Sequence, residues 1–336
     1  MTHVLVARMD SEGDVLLAGP AVRAVAGQAA EVVLLVGPRG RQAAALLPGV
    51  DRVLVWRAPW IDPDPDPVDP ADIADVTDRL RALALDEAVL LTSSHQSPLP
   101  LALLLRLAGV RRVSAVSDDY PGSLLDVRHR VPDDLPEAER ALSTAAAAGF
   151  ALPPGDDGRL RVRRPLPDVA GLVGPGRYVV LHPGASVPAR AWSPDRCAAA
   201  VEALTAAGHR VLVTGAPAEA ALTRRVAGPA GLDLGGRTGF AELAAVLAGA
   251  DAVVVGNTGA AHLAAAVGTP VVSLFAPVVP AARWAPYGVP SVLLGDQLAP
   301  CRDTRSRICP VPGHPCLDSV TPDDVVAAVD KLAVPA

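Results

Sequence analysis

The 336-residue chain carries a single lysine, Lys331; every other basic residue apart from histidine is arginine. Chemistry that needs a lysine inside a domain is thereby excluded: a P-loop, a Schiff base, or attachment of pyridoxal phosphate. Any phosphate that needs a side-chain cation must be held by arginine. No run of about 18 uncharged apolar residues occurs, so the positive hydropathy, spread through Ala and Val, predicts no membrane span. The opening THVLVARMD has no basic segment, apolar core and cleavage site in succession, which predicts a cytoplasmic protein without a signal peptide. A formal net charge of −6 offers no basic excess for nucleic acid.

What is present is globular: 50% of residues are hydrophobic and 20% charged, and the length suffices for two domains with real cores. Apolar runs at 3–7, 32–36, 52–55, 88–91 and 112–115 alternate with helical stretches at 15–26, 41–47, 71–85 and 99–107, a βαβ rhythm. Between 117 and 176 prolines break the pattern, leaving one helix at 136–148. A second series of strands and helices starts at Tyr178. The predicted class is α/β with two Rossmann-like domains, 1–170 and 171–322, followed by a C-terminal segment, 323–336. Ligands of such sheets sit at the carboxyl ends of the strands, so the turns there are where chemistry is sought.

The first of those turns has no G-x-G-x-x-G, which argues against a dinucleotide site. It ends instead in Gly13-Asp14 before a helix, where Asp14 reads either as a helix cap or as a general base. Thr92 to Ser97, TSSHQS, brings hydroxyls, an imidazole and an amide to a strand end, with Ser94, His95 and Gln96 as acceptor contacts. WIDPDPDPVDP, residues 60–70, reads as a stiff exposed connection, with folding over an acceptor as the other reading. Asp251 to Pro277 forms strand, turn, helix and strand in one unit. Its turn Gly256-Asn257-Thr258-Gly259 aims backbone N–H groups and a helix dipole at one point, which suits a diphosphate. His262, one turn in, faces the same point.

The run NTGAAHLAAAVGTPVVSLFAP resembles the nucleotide-binding turn of the heptosyltransferases, glycosyltransferase family nine. HPGAS, W-S-P, G-A-P-x-E, L-G-G-R-T and NTGxxH follow that family's order across nearly the whole chain. The resemblance implies the GT-B fold, two Rossmann-like domains facing across a cleft, with the acceptor on the first, the donor nucleotide mainly on the second, and the C-terminal helix packing back on the first. It implies Asp14 as catalytic base for an inverting transfer. It implies donor contacts from Gly184, Ala185, Ser186, Arg190, Glu219, Thr238, Asn257, Thr258, Gly259 and His262, with Glu219 at the ribose and Thr238 bordering the base.

Three positions depart from the usual pattern: Arg190 and Gln96 stand where lysine is common, and Asn257 where aspartate is usual. The implied function is transfer of a sugar, heptose being one candidate, from a nucleotide diphosphate, ADP-linked, to a hydroxyl on a small molecule or glycoconjugate. No cofactor and no catalytic metal are expected, since no D-x-D follows a strand. Nucleic acid is not a partner; peripheral membrane contact stays open. The alternatives are a nucleotide-sugar epimerase or hydrolase of the same architecture, or a binding protein that has lost transfer. Cys301, Cys309, His314 and Cys316 read as free thiols and a loop histidine, with a structural zinc as the other possibility.

Overall fold

The computed structural model describes residues 2–333, and the chain divides into two compact units, 1–163 and 164–336. Within the first, strands β1 His3–Ala7, β2 Glu31–Val36, β3 Arg52–Val55, β4 Glu87–Leu90, β5 Arg112–Val116 and β6 Val127–His129 form a parallel sheet in the order β3-β2-β1-β4-β5-β6. Helices cover both faces, so the central strands read as continuous apolar runs rather than alternating ones. Val4, Leu5 and Val6 are all fully buried. In the second unit β7 Val179–His182, β8 Val211–Val213, β9 Leu232–Asp233, β10 Val253–Gly256, β11 Val271–Leu274 and β12 Ser291–Leu294 pair in parallel as β12-β11-β10-β7-β8-β9. Both are the doubly wound order. The chain reverses direction of winding between β1 and β4 in one sheet and between β7 and β10 in the other, where crevices open beyond the strand ends.

Two strands were not anticipated from sequence. β6 is three half-buried residues, Val127-Arg128-His129, on the sheet edge, and β12 alternates exposed and half-buried positions. The helix expected over 15–26 begins earlier and is two helices, Glu12–Leu17 and Gly19–Ala26. Ala18 joins them, and Pro20 falls in the first turn of the second helix, where its missing N–H costs nothing.

The helix Pro322–Leu332 belongs to the second unit. It packs on the helix Pro194–Ala206, and Val325, Ala328 and Val329 are buried in the second unit's own core with Leu204 and Val272. Residues 334–336 of the expected C-terminal segment lie outside the described residues. No helix among the described residues is long and apolar enough to cross a membrane.

Candidate active site

The first unit gathers its charge at the switch point. Arg8 follows β1 directly, its amide bonded to Leu35 O at 3.0 Å, and its side chain is only 3% exposed. Its Nη2 donates to Asp14 Oδ1 at 2.9 Å and to Ser93 Oγ at 2.8 Å. Its Nε lies 3.0 Å from Asp10 Oδ2, and its Nη1 3.6 Å from Glu137 Oε2. One guanidinium thus faces three carboxylates brought by β1's turn and by the helix Glu137–Ala148. Burial works against the Arg8 charge, but Asp10, Asp14 and Glu137 together raise its pKa above the ordinary value.

Asp14 is a helix-capping residue held by Arg8. Its Oδ2 accepts from Ser11 N at 3.1 Å and Ser11 Oγ at 2.6 Å, the return bond of a capping box that starts the helix Glu12–Leu17. Its other oxygen is held by Arg8. Burial pushes its pKa up, but the Arg8 charge and the Ser11 hydrogen bonds prevail and lower it, keeping the carboxylate ionised. Asp10 goes the other way: burial dominates and raises its pKa, with the nearby Asp14 charge adding, against the pull of Arg8. The pair therefore divides into a firmly ionised carboxylate and one that takes up a proton more readily.

Of the acceptor contacts predicted from TSSHQS, Gln96 enters this network. Its Nε2 donates to Asp10 Oδ1, and its Oε1 accepts from Ser93 N at 3.1 Å. Ser94 is half-buried and His95 exposed. The central members Arg8, Asp10, Ser93 and Glu137 were not among the site residues expected from sequence. WIDPDPDPVDP is not merely an exposed connection: Trp60 and Ile61 line a cavity with Met9, Thr92, Gln96 and Leu101, while residues 63–70 are exposed.

In the second unit the predicted donor residues converge on the ends of β7, β8 and β10. Glu219 closes the 3-10 turn Pro217–Glu219, its Oε2 accepting from Ala216 N at 2.8 Å. The same carboxylate covers the buried Gly184 so closely that a Cβ there would collide with it, and a Cβ at Gly215 would lie 3.2 Å from Oε2. At Gly184 the space for a side chain is filled by the Glu219 carboxylate, whereas at Gly215 it is filled first by Thr223 Cγ2, 2.6 Å from where a Cβ would sit. Ala185 is half-buried and Ser186 exposed beyond them. His182 Nδ1 lies 3.0 Å from Thr214 Oγ1, and burial lowers its pKa against the pull of Glu219, so the ring is neutral at pH 7. Thr238 is half-buried in the loop that follows Gly236, whose φ of 70° requires glycine.

Arg190 ends the 3-10 turn Pro188–Arg190, and its carbonyl approaches Gly256 to where a Cβ would be 3.0 Å away. That contact sets Arg190 beside the start of the helix Gly259–Val267. Asn257 is 5% exposed with its Nδ2 donating to Ala276 O at 3.3 Å, so this amide braces the strand end. The Thr258 N–H, expected to meet a diphosphate, donates to Gly256 O at 2.8 Å. The helix Gly259–Val267 starts directly after it, and the amides of its first turn, Gly259 and Ala260, are the N–H groups an α-helix leaves without an intrahelical partner. His262 is buried, 6% exposed, one turn further on.

The cysteine segment has a positioning role that sequence did not suggest. His314 Nε2 hydrogen-bonds Ala189 O at 3.0 Å, and Ala189 N donates to Arg307 O at 2.9 Å, fixing the turn that carries Arg190. Burial and the neighbouring Cys301 push the Cys316 thiol up to about 12, and Cys309 Sγ donates to Val311 O at 3.4 Å. Among the described residues no group of three or more Cys, His, Asp or Glu is arranged to hold a metal ion.

Comparison with known proteins supplies the family and the fold. The family profile of glycosyltransferase family 9 (heptosyltransferase) matches residues 74–312. Lipopolysaccharide heptosyltransferase 3 of Escherichia coli is 34% identical over 181 residues, covering 51% of this chain and 51% of that protein. The chain thus spans about half the length of the curated relatives it matches. Among solved structures, E. coli ADP-heptose LPS heptosyltransferase II superposes with a TM-score of 0.75 at 17% identity, covering 99% of each chain. E. coli heptosyltransferase WaaC with ADP-2-deoxy-2-fluoro heptose gives 0.71 at 21%, covering 98% of this chain and 99% of that one. Those likenesses make the fold GT-B. With more than half of its length matched by the family profile, the chain belongs to glycosyltransferase family 9, the heptosyltransferase family.

Proposed function

We propose that the protein is an inverting glycosyltransferase that moves a sugar from an ADP-linked donor to a hydroxyl acceptor, without a catalytic metal, in the cytoplasm. The observation that carries this reading is the convergence of Gly184, Glu219, Arg190 and the start of the helix Gly259–Val267 on the switch point of the second sheet. A glycine turn under a carboxylate gives a ribose its hydroxyl acceptor. A helix N-terminus beside an arginine gives a departing diphosphate its positive field. A relative of the same fold has been solved with an ADP-heptose analogue, which favours an adenosine diphosphate donor. Heptose is the first sugar to try, with Asn257 in the position of the usual aspartate as the reason to try others.

The acceptor belongs to the first unit. There Asp14, ionised by Arg8, receives the hydroxyl proton as the oxygen attacks the anomeric carbon from the face opposite the diphosphate. Arg8 holds that carboxylate in place, Arg190 stabilises the leaving group, and no covalent intermediate is needed.

The test begins with thermal stabilisation by ADP, UDP, GDP and ADP-sugars. A ligand at about 100 times its Kd adds roughly 2.7 kcal/mol. The expected result is a selective shift with ADP or an ADP-sugar that is lost in Arg190→Ala and partly kept in Arg190→Lys. Transfer assays with the responding donor should then give a product of inverted anomeric configuration by NMR. A retained configuration, or no response to any nucleotide by the folded protein, overturns the reading.

A further inference from the structure

One carboxylate of the first unit is buried without a hydrogen bond. Glu137 is the first residue of the helix Glu137–Ala148, its side chain is 1% exposed, and neither of its oxygens has a hydrogen-bond partner. Among the described residues its one ion pair is with Arg8 Nη1, at 3.6 Å. A helix N-terminus offsets part of the cost of burying that charge, but a contact of this length without a hydrogen bond offsets little of the rest. A glutamine would fill the same space without the charge. The carboxylate is therefore to be explained by what it does to Arg8.

We infer that Glu137 is a positioning residue: through the guanidinium of Arg8 it sets how firmly Asp10 and Asp14 hold a proton, and with that the strength of Asp14 as a base. The last clause rests on the transferase reading above; the rest does not.

Arg8 divides its nitrogens. Nη2 serves Asp14 and Ser93, Nε faces Asp10, and Nη1 is left to Glu137. One positive charge thus answers three carboxylates. Removing the Glu137 charge has two consequences of the same sign: a negative charge leaves the surroundings of both aspartates, and the guanidinium is released to close on them. Both then hold a proton less firmly, and Asp14 becomes a poorer base.

The other groups around Asp14 do not replace Glu137. Ser93 and Gln96, from the loop after β4, carry no charge. Glu12, on the helix of Asp14 itself, is met by Arg39 from the turn after β2, and Arg41 beyond it is exposed. On the helix of Glu137, Glu139 is half-buried, and the buried Arg140 lines a small void with Arg8, Thr92 and Thr144. Arg140 adds charge of the opposite sign.

Carbon-13 NMR of the full chain labelled at its aspartate carboxyls tests this, with Asp10 and Asp14 assigned by the signals lost in Asp10→Asn and Asp14→Asn. Glu137→Gln, which keeps the shape, should move the Asp10 midpoint down by about half a pH unit or more, the direction that loss of a negative charge dictates. Glu137→Asp, which keeps the charge and changes the shape, should move it less than half as far. Glu137→Gln should be no less stable to heat than the unaltered chain, because Asp10 and Asp14 still balance Arg8. With ADP-heptose as the probe and water as its acceptor, hydrolysis at saturation should fall about threefold or more in Glu137→Gln, with KM unchanged, and recover in Glu137→Asp.

An unmoved Asp10 midpoint in folded Glu137→Gln, or equal shifts in the two Glu137 variants, overturns the inference. A shifted midpoint with unaltered hydrolysis overturns its link to the reaction. Full hydrolysis by Asp14→Asn overturns the base reading and leaves the midpoints as the support for Glu137. If the unaltered chain leaves ADP-heptose intact, the midpoints alone decide.

Discussion

Arg8 and Asp14 are joined by a 2.9 Å charge-assisted hydrogen bond, and the Asp14 oxygen that Arg8 leaves open is taken by Ser11. The residue assigned as base is therefore also a helix cap, and the two roles separate on substitution. Asp14→Asn keeps an oxygen for Ser11 and removes the charge. It should cost about 1.5–3 kcal/mol of stability, the scale of a hydrogen bond to a charged partner, here Arg8. Turnover should fall about 100-fold or more, the scale of a lost general base. Denaturant midpoints and single-turnover rates measured together check this; full turnover in a destabilised variant would leave Asp14 as a cap alone.

Asp10 provides a pH test with the opposite sign. Its folded pKa is raised by burial, so the folded state binds a proton more readily there than the unfolded chain does. That contribution to stability is present at low pH and is lost as pH rises through the raised value. Asp10→Asn should therefore stabilise the protein at pH 7 and shrink the stability difference between pH 7 and pH 5, followed by chemical denaturation at each pH. A variant less stable at pH 7 would show that the Asp10 charge supports the cluster.

The carboxylate of Glu219 fills the space above Gly184, so Gly184→Ala forces one of them to move. Overpacking of this kind costs about 1–3 kcal/mol. Displacing Glu219 also releases the Ala216 amide. Donor affinity should fall tenfold or more, while Gly171→Ala, at a position with open space around it, should leave it unchanged. Calorimetric titration with ADP distinguishes the two.

Away from the site, Arg23 clamps Asp156 with bonds of 2.6 and 2.9 Å, tying the end of the first unit to its helix Gly19–Ala26. These bonds hold the Asp156 pKa at about 2 against its usual 3.8. A depressed carboxylate stabilises above its unfolded pKa and loses that stabilisation as pH falls through the folded one. The loss, about 2 kcal/mol, should appear between pH 4 and about pH 2 and be absent from Asp156→Asn. An unchanged acid midpoint in that variant would remove the clamp from the acid response.

The legible parts were those written locally. Glycine turns after β-branched runs marked the strand ends of the second unit, and HPGAS, GAPAE and NTGAAH each fell where a strand meets a helix. What stayed hidden was tertiary. Arg8 was visible as a charge at the end of an apolar strand, but its partner Glu137 arrives from a helix behind a proline-rich stretch, and nothing local marks it. The Thr258 amide looked open because a short turn back to Gly256 leaves no sequence mark. β6 and β12 sit on sheet edges, where half-buried strands carry weak patterns. Trp60 and Ile61 were read with the acids and prolines after them, although two large apolar side chains heading such a run were the signal.

The loop beyond Trp56 has a practical meaning. Trp56 is tied to Asp72 by its indole N–H, and Asp69 caps the helix Pro70–Ala82 through Ala71 N at 2.9 Å. Both ends of the segment are anchored outside the part that lines the cavity. Residues 57–68 can thus be exchanged as a cassette without disturbing the bonds that hold Trp56 and Asp69 at its two ends.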